Sequence, residues 1–205
     1  ELYESKKILK KEIGENLYKN IIELSEPIAA ASIAQVHIAK IKIDNVQKEV
    51  AVKILRPDIE KQFNEELDAL MLFAYIIENL FSKTKRLKLV EIVYLLREIT
   101  NIEMDLRFEA AAANELYENT KNDKGFNVPK IYWNYTSRKV LTLDKVDGIS
   151  IREQNLLKEN GVDLKKLSEN LIQHFLKQAV RDGFFHGDMH QGNLFVDQKG
   201  NIIPV

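Results

Sequence analysis

The stretch His186-Gly187-Asp188-Met189-His190-Gln191-Gly192-Asn193 decides how the rest of the chain is interpreted. It lies between a predicted helix over residues 164–181 and a predicted β-hairpin over residues 194–205. One explanation of its composition is a polar surface loop with two chance histidines. A metal site on His186 and His190 is another, although no further His or Cys completes it. The spacing of the polar groups favours a third explanation, phosphoryl chemistry.

That spacing, H-x-D-x-x-x-x-N, is typical of the catalytic loop of protein kinases and related phosphotransferases. In such a loop the aspartate faces the acceptor or the γ-phosphate, and the asparagine reaches back to a Mg²⁺ carried by the nucleotide. Asp188 and Asn193 occupy these two positions. The loop therefore predicts a catalytic Asp188 and a metal-binding Asn193.

A lysine motif lies far upstream, in Val50-Ala51-Val52-Lys53-Ile54 on a predicted strand. It matches the V-A-I-K strand, whose lysine contacts the α- and β-phosphates. A lysine at the polar position of an alternating strand usually just faces solvent. The motif gains weight because it precedes the loop in the order found in kinases.

A lysine that contacts phosphate needs a carboxylate to hold it. The run from Glu103 to Glu109 offers three, on a long helix predicted over residues 90–119. On an ideal helix Asp105 and Glu109 share a face, whereas Glu103 lies about 120° from Glu109. A solvated acidic face is the alternative for each of them.

The segment before the lysine strand has no glycine where a kinase has its Gly-rich loop. It reads Ala29-Ala30-Ala31-Ser32-Ile33-Ala34-Gln35. Alanine methyls keep the backbone farther from phosphates and disfavour positive φ. From its residues alone, the segment fits an alanine-rich helix start equally well.

Composition excludes several functional classes. The 205 residues carry 30 Lys+Arg against 31 Asp+Glu, so no basic excess indicates a nucleic-acid partner. The absence of cysteine excludes thiolate catalysis and Cys-ligated zinc. No apolar run reaches the roughly 18–20 residues of a membrane span. Because the chain starts without Met and ends within an apolar run, we expect it to be part of a longer protein.

Periodicity and turn signals predict the remaining elements. They are a helix over residues 2–24 that ends at Pro27, a hairpin turning at Asp44-Asn45, a helix over residues 59–81 capped by Asp58, a polar linker over residues 82–88, and two short strands over residues 128–143. The linker carries four Lys or Arg residues. A solvated loop explains it better than a membrane-surface patch, because four charges alone bind anionic lipid weakly.

Four segments together resemble the UbiB/ADCK family, also called AarF-domain proteins, a group of atypical protein-kinase-like proteins. They are AAASIAQVH at residues 29–37, VAVK at 50–53, EMDLRFEAAAAN at 103–114 and HGDMHQGNL at 186–194. The resemblance runs from about Pro27 to Val205. It implies an α+β fold with two kinase-like lobes, divided into an N-terminal helical extension (1–26), an N-lobe (27–147) and a partial C-lobe (148–205).

The resemblance also implies a role for each candidate site residue. It implies that the nucleotide loop consists of Ala29, Ala30, Ala31, Ser32, Ile33, Ala34 and Gln35, and that the adenine is held by a hinge at residues 141–148, which includes Asp144 and Val146. It makes Lys53 the phosphate-binding lysine, Glu109 its carboxylate partner, and Glu103 with Asp105 the family's E-x-D pair. In the loop, it makes Asp188 the catalytic aspartate and Asn193 a Mg²⁺ ligand. The family's K-x-G-Q motif is absent from residues 1–26, and its D-F-G motif would follow Val205. Without D-F-G we expect weak binding of Mg²⁺-nucleotide.

At the level of function, the resemblance implies an enzyme that binds ATP or ADP with Mg²⁺ and acts as an ATPase supporting ubiquinone biosynthesis. Its implied partners are nucleotide, quinone-precursor lipids and ubiquinone-biosynthesis enzymes, and no nucleic acid. Its implied location is the cytoplasmic side of the bacterial inner membrane, peripheral or anchored, with membrane contact. A small-molecule phosphotransferase of the aminoglycoside or choline kinase type and a non-catalytic nucleotide-switched module remain as alternatives.

Overall fold

The centre of the first sheet is a hairpin that turns at Asp44 and Asn45, as the sequence predicts. Both residues have positive φ, 49° and 65°, which is the geometry of the tight turn favoured between antiparallel strands. The computed structural model describes residues 2–30 and 32–205. Among these residues, the strands on either side of the turn pair without a bulge from Ile43–Val46 back to Ala34–Leu55.

The elements follow in this order. They are α1 (Leu2–Ile13), α2 (Glu15–Tyr18), β1 (Ile21–Ala30), β2 (Ala34–Ile43), β3 (Val46–Leu55), α3 (Ile59–Leu80), α4 (Leu89–Glu103), α5 (Leu106–Thr120), β4 (Val140–Asp144), β5 (Ile149–Ser150), α6 (Gln154–Glu159), α7 (Leu164–Lys177), β6 (Leu194–Val196) and β7 (Ile202–Pro204). Short 3₁₀ turns lie at Ser82–Leu87 and Trp133–Tyr135, and a π-helical turn at Gln178–Asp182.

Two antiparallel sheets form the framework. The first has the order β1-β2-β3-β4 and the second the order β5-β6-β7. Strand alternation on β3 gives the first sheet two different faces. Val50, Val52 and Ile54 pack in a cluster with Leu9 of α1, whereas Leu55 packs with residues of α3 and α5.

A separate apolar cluster forms beneath the second sheet. It comprises Leu116, Phe126, Val128, Leu157, Leu167, Leu194, Val196 and Ile202. The chain thus folds as α+β around two sheets, and its four-stranded sheet with packed helices is the N-terminal lobe of a kinase-like fold. The predicted lobe division at residues 147 and 148 falls in the segment between β4 and β5 and stays a prediction.

The predicted helix over residues 2–24 is wrong in its second half. The helix ends at Ile13, before Gly14 with φ 82°, and residues 21–30 form strand β1. Leu24 pairs with Ala39 of β2 and is buried, so tertiary pairing overrides the helical spacing. Pro27 is tolerated because β1 is an edge strand, where a missing N–H disrupts no second neighbour.

Four further details differ from the prediction. The long helix over residues 90–119 breaks at Asp105, which has extended backbone, φ −122° and ψ 93°. The region 128–143 contains one strand, β4, and Ile131 makes only an isolated bridge to Leu143. Asp58 precedes α3 with φ 59°, and its side chain makes no capping hydrogen bond. The residues after Lys177 continue α7 as the π-helical turn.

No helix among residues 2–30 and 32–205 combines the length and hydropathy needed to cross a lipid bilayer.

Candidate functional site

The site is built around Lys53, which lies in the middle of the first sheet. On β3 it is in register with Val36 of β2 on one side and Leu141 of β4 on the other. Its Nζ donates to both carboxylate oxygens of Glu109, at 2.8 and 2.7 Å. The expected contact between this lysine and this carboxylate is therefore present, and the roles of the two groups toward nucleotide stay predictions.

Glu109 lies in the first turn of α5, and Asp105 sets where that helix begins. One oxygen of Asp105 accepts the backbone N–H of Arg107 at 3.1 Å, which caps the helix. The Arg107 guanidinium donates to both carboxylate oxygens of Asp105, at 2.9 and 2.6 Å. These hydrogen bonds hold the pKa of the buried Asp105 carboxyl below its usual range.

The E-x-D pair is separated by this break. Glu103 is the last residue of α4 and is exposed, and its side chain makes no hydrogen bond or ion pair within the described part of the chain. Asp105 belongs to the cap of α5 rather than to a continuous helical face shared with Glu109. Of the three carboxylates offered by the sequence, Glu109 contacts Lys53, Asp105 contacts Arg107, and Glu103 faces solvent.

The alanine-rich segment forms the turn between β1 and β2, the position of a kinase Gly-rich loop. It is not a helix start: Ala29 and Ala30 end β1, paired with Val36 and Gln35. Ala29, Ala30 and Ser32 are exposed and Ile33 is half-buried, whereas Ala34 and Gln35 are buried in β2. Ala31 lies outside the described residues. The exposed residues are thus free to meet a ligand, while Ala34 packs in the core.

The predicted hinge follows β4. The Asp144 carboxylate accepts the Tyr132 hydroxyl at 2.6 Å and the Lys130 N–H at 3.2 Å, so its side chain is already used internally. Burial and this carboxylate raise the pKa of Tyr132 well above its ordinary value. Val146 is half-buried in the segment that follows β4, and its backbone N–H and C=O have no partner among the residues that the structure describes. Free backbone groups at this point suit the edge of a heterocyclic base.

The predicted catalytic loop, residues 186–193, brings Asp188 and Asn193 into direct contact. The Asn193 side-chain amide donates to the backbone carbonyl of Asp188 at 3.1 Å and to its carboxylate at 2.8 Å. The backbone of Asn193 is fixed from both sides, because its N–H donates to His190 and its C=O accepts from Val205. Both side chains are thereby held next to each other at the start of the second sheet.

These two residues fit a hard cation. Asn193 uses its nitrogen for both hydrogen bonds, so among the described residues its amide oxygen and one Asp188 carboxylate oxygen accept no bond. Amide and carboxylate oxygens are the donors that Mg²⁺ prefers. Asp188 and Asn193 are the residues that would hold a nucleotide-borne Mg²⁺.

A histidine-based metal site gains no support. Nδ1 of His186 accepts the Asp188 N–H at 3.3 Å, and Nδ1 of His190 accepts the Gly192 N–H at 3.2 Å. Across residues 2–30 and 32–205, no group of three or more His, Cys, Asp or Glu side chains is arranged to hold a metal. Both histidines instead shape the backbone of the loop.

One polar residue at the loop was not singled out by sequence reasoning. Gln178, the first residue of the π-helical turn, is fully buried, and its side-chain oxygen accepts the His186 N–H at 3.3 Å. The sequence does carry a signal for its burial: Gln178 follows the buried His174 by four residues, on the apolar face of a helix with strong apolar periodicity.

Comparison with known proteins identifies the family to which the chain belongs. The ABC1 atypical kinase-like domain matches residues 2–205. The chain is similar to proteins named "Probable protein kinase UbiB": 40% identical over 96% of its length to that of Marinobacter nauticus, and 39% identical over 85% to that of Azotobacter vinelandii. It covers 36% and 32% of those two proteins, so it spans about a third of their length. The kinase order of lysine, carboxylate and catalytic loop agrees with these matches, and the chain belongs to the ABC1 atypical kinase-like family.

Proposed function

We propose that the protein binds ATP or ADP with Mg²⁺ between its two sheets and hydrolyses ATP. The observation that carries the proposal is the ion pair of Lys53 with Glu109, 2.7 Å at its shortest, in a chain whose 186–193 loop also holds Asp188 and Asn193 in contact. The lysine Nζ is held in place by a carboxylate rather than extended into solvent. Such an arrangement suits a phosphate-binding lysine.

Each residue has a distinct role in this proposal. Lys53 pairs with the α- and β-phosphates, and Glu109 keeps its Nζ in position for them. Asp188 orients the attacking water or acceptor hydroxyl, and Asn193 contributes an amide oxygen to the metal. When bound, Mg²⁺ supplies charge neutralisation of the phosphates.

The exposed part of the alanine-rich turn distinguishes this site from an ordinary kinase. Ala29 and Ala30 carry methyl groups where a glycine loop would let backbone N–H groups approach the phosphates closely. A site that encloses the terminal phosphate less tightly favours hydrolysis over transfer to a protein side chain. We therefore assign the chain an ATPase role in preference to protein phosphorylation.

The pathway assignment rests on the relatives. Because proteins named UbiB share about 40% of the residues, we propose that the protein supports ubiquinone biosynthesis. Quinone-precursor lipids and the enzymes that process them are its proposed partners.

We also propose that the protein works at the cytoplasmic face of the inner membrane. The support is the tip of the α3–α4 hairpin, residues 80–88. There Leu80, Phe81 and Leu87 are 70%, 58% and 54% exposed, next to the exposed cations Lys85 and Arg86. Each cation near an anionic surface contributes about 1 kcal/mol, and stable attachment needs an apolar contribution as well.

The ATPase proposal is tested with Lys53→Met. We expect it to lower the affinity for Mg²⁺-ATP at least tenfold, about 1.4 kcal/mol, and to abolish phosphate release measured without any added acceptor protein. The matched control is Lys40→Met, because Lys40 on the adjacent strand pairs with Glu23 at 2.8 Å and is in register with Glu49 rather than with Lys53. Equal nucleotide binding by the two variants would contradict the proposal.

The membrane proposal is tested by co-sedimentation with vesicles of phosphatidylglycerol or of phosphatidylcholine. We expect binding to the anionic vesicles alone, and a loss of binding in Phe81→Ser. Tyr3→Ser is the control, since Tyr3 is 75% exposed and lies on α1. Equal binding to both vesicle types, or equal loss in both variants, would refute an anionic-lipid contact at the hairpin tip.

A further inference from the structure

A buried amide lies directly behind the catalytic loop. Gln178 is 0% exposed and begins the π-helical turn that links α7 to the loop. A π-helical turn is less favourable than continued α-helix and often occurs where a side chain must be placed for function. Here the turn carries the Gln178 side chain to the backbone of His186.

Gln178 is the first member of a continuous hydrogen-bonded series. Its Oε1 accepts the His186 N–H at 3.3 Å, and Nδ1 of His186 accepts the Asp188 N–H at 3.3 Å. The Asp188 carboxylate then accepts the Asn193 amide at 2.8 Å. Each bond fixes the backbone or side chain of the next residue, so the series runs from the protein interior to both proposed metal-binding groups.

The other end of the Gln178 amide shows that packing alone does not explain this residue. Its Nε2 is buried and has no hydrogen-bond partner in the described structure. A buried donor without a partner costs free energy, and an apolar side chain of similar length would avoid that cost. His186 is only half-buried, so water could satisfy its N–H in such a variant.

We propose that Gln178 is a positioning residue that sets the geometry of Asp188 and Asn193 through His186. The inference rests on the proposed nucleotide function and deepens it. Residues that orient metal ligands from behind commonly change metal affinity by about 10–100-fold. Gln178 therefore affects the binding of the metal-nucleotide complex more than that of the nucleotide alone.

The test compares Gln178→Met with Gln173→Met. Gln173 lies on α7, which leads into the π-helical turn of Gln178, and its exposed side chain makes no hydrogen bond in the described structure. We expect Gln178→Met to weaken Mg²⁺-ATP binding about tenfold, to leave binding of ATP in EDTA unchanged, and to preserve or raise the melting temperature. Gln173→Met should alter none of the three. A variant that loses stability and both forms of binding together would overturn the proposal, since that is the result of a purely structural role.

Amide hydrogen exchange without nucleotide gives a separate readout. Gln178→Met should speed the exchange of the loop amides over residues 186–188. Unchanged exchange would show that Gln178 does not hold the loop in place. If the unaltered protein failed to bind Mg²⁺-ATP while Gln178→Met still speeded exchange, the proposed nucleotide function would be wrong, whereas the positioning of the loop by Gln178 would be supported.

His186→Ala, combined with Gln178→Met, should weaken Mg²⁺-ATP binding no further than the stronger single variant, because both substitutions interrupt the same series of hydrogen bonds. Additive losses would show that the two residues act independently.

Discussion

Arg107 donates its backbone N–H and its guanidinium to the same carboxylate, that of Asp105, and this contact determines where the helix carrying Glu109 begins. Without a residue of extended backbone at position 105, the chain would continue α4 and rotate Glu109 away from its present direction. The position of the Lys53–Glu109 pair therefore depends on a cap four residues earlier.

Two substitutions of Asp105 separate the contribution of the helix cap to stability from that of the ion pair with Arg107. We expect Asp105→Ala to lower the free energy of unfolding by about 1–2 kcal/mol, because it removes both the cap and the ion pair. Asp105→Asn keeps a capping oxygen and should cost about half as much. Urea unfolding at pH 7 measures both, and Asp163→Ala, which removes the α7 cap without an arginine partner, is the control. Equal losses in the Ala and Asn variants would contradict the role of the cap.

The same carboxylate predicts an acid dependence. Arg107 lowers the pKa of Asp105 in the folded state, so its stabilising contribution is complete above the unfolded pKa of about 3.9. That contribution is lost as the pH falls below 3.9 and through the lowered folded value. Asp105→Asn should therefore lose less stability than the unaltered protein between about pH 4 and pH 2.

Glu109→Gln separates the effect of the Lys53 partner on binding from its effect on stability. Glu109 is partly exposed, and a pair of this kind contributes about 0–1 kcal/mol, so the free energy of unfolding should change by less than about 1 kcal/mol. Mg²⁺-ATP affinity should fall about tenfold, because Lys53 is no longer held for the phosphates. Glu118→Gln is the control on the same helix, since Glu118 pairs with the exposed Lys121. Similar binding losses in both variants would argue against a specific role for Glu109.

Gly148 is expected to tolerate no side chain. A Cβ at this position would lie 3.0 Å from the Val196 carbonyl oxygen and 3.2 Å from the Phe195 Cβ, and both belong to strand β6. We expect Gly148→Ala to lower the free energy of unfolding by about 1–3 kcal/mol through this crowding. A Cβ at Gly187 would meet nothing within 4 Å, so Gly187→Ala should stay within about 0.5 kcal/mol. Urea unfolding distinguishes the two, and equal stabilities would mean that β6 moves away at no cost.

The sequence predicted most of the candidate site because its motifs are local. The loop over residues 186–193 and the lysine of β3 depend on spacing alone, and Lys53 does contact Glu109. The helix break at Asp105 was missed because apolar spacing continues across it, while the interruption comes from the competing bonds to Arg107.

Long-range pairing explains the other errors. Residues 21–24 have helical spacing, yet they pair with β2, and a single sequence shows no sign of that partner. Gln178 escaped notice for a related reason. Its importance lies in a bond to His186 that requires the π-helical turn, and helical periodicity continues smoothly into that turn without marking it.

His174 makes the stability of the C-terminal part sensitive to pH near neutrality. Its ring is 4% exposed and stacks on Phe126 with the ring centroids 5.0 Å apart. Burial, helped by Lys177 and Arg181 and opposed by Asp123, lowers its pKa below the ordinary value of 6.5. The folded protein therefore resists protonation that the unfolded chain accepts.

This difference in pKa between the two states makes the folded protein less stable as the pH falls. Above about pH 6.5 both states leave the imidazole neutral, and His174 adds no pH dependence. Below it the unfolded state binds the proton first, so the free energy of unfolding falls with pH, at most about 1.4 kcal/mol per pH unit, until the folded pKa is reached. His174→Leu should remove this slope between pH 6.5 and pH 5, whereas His190→Leu, at an exposed loop position, should keep it. Urea unfolding across that range measures the slopes, and an undiminished slope in His174→Leu would assign the dependence to other groups.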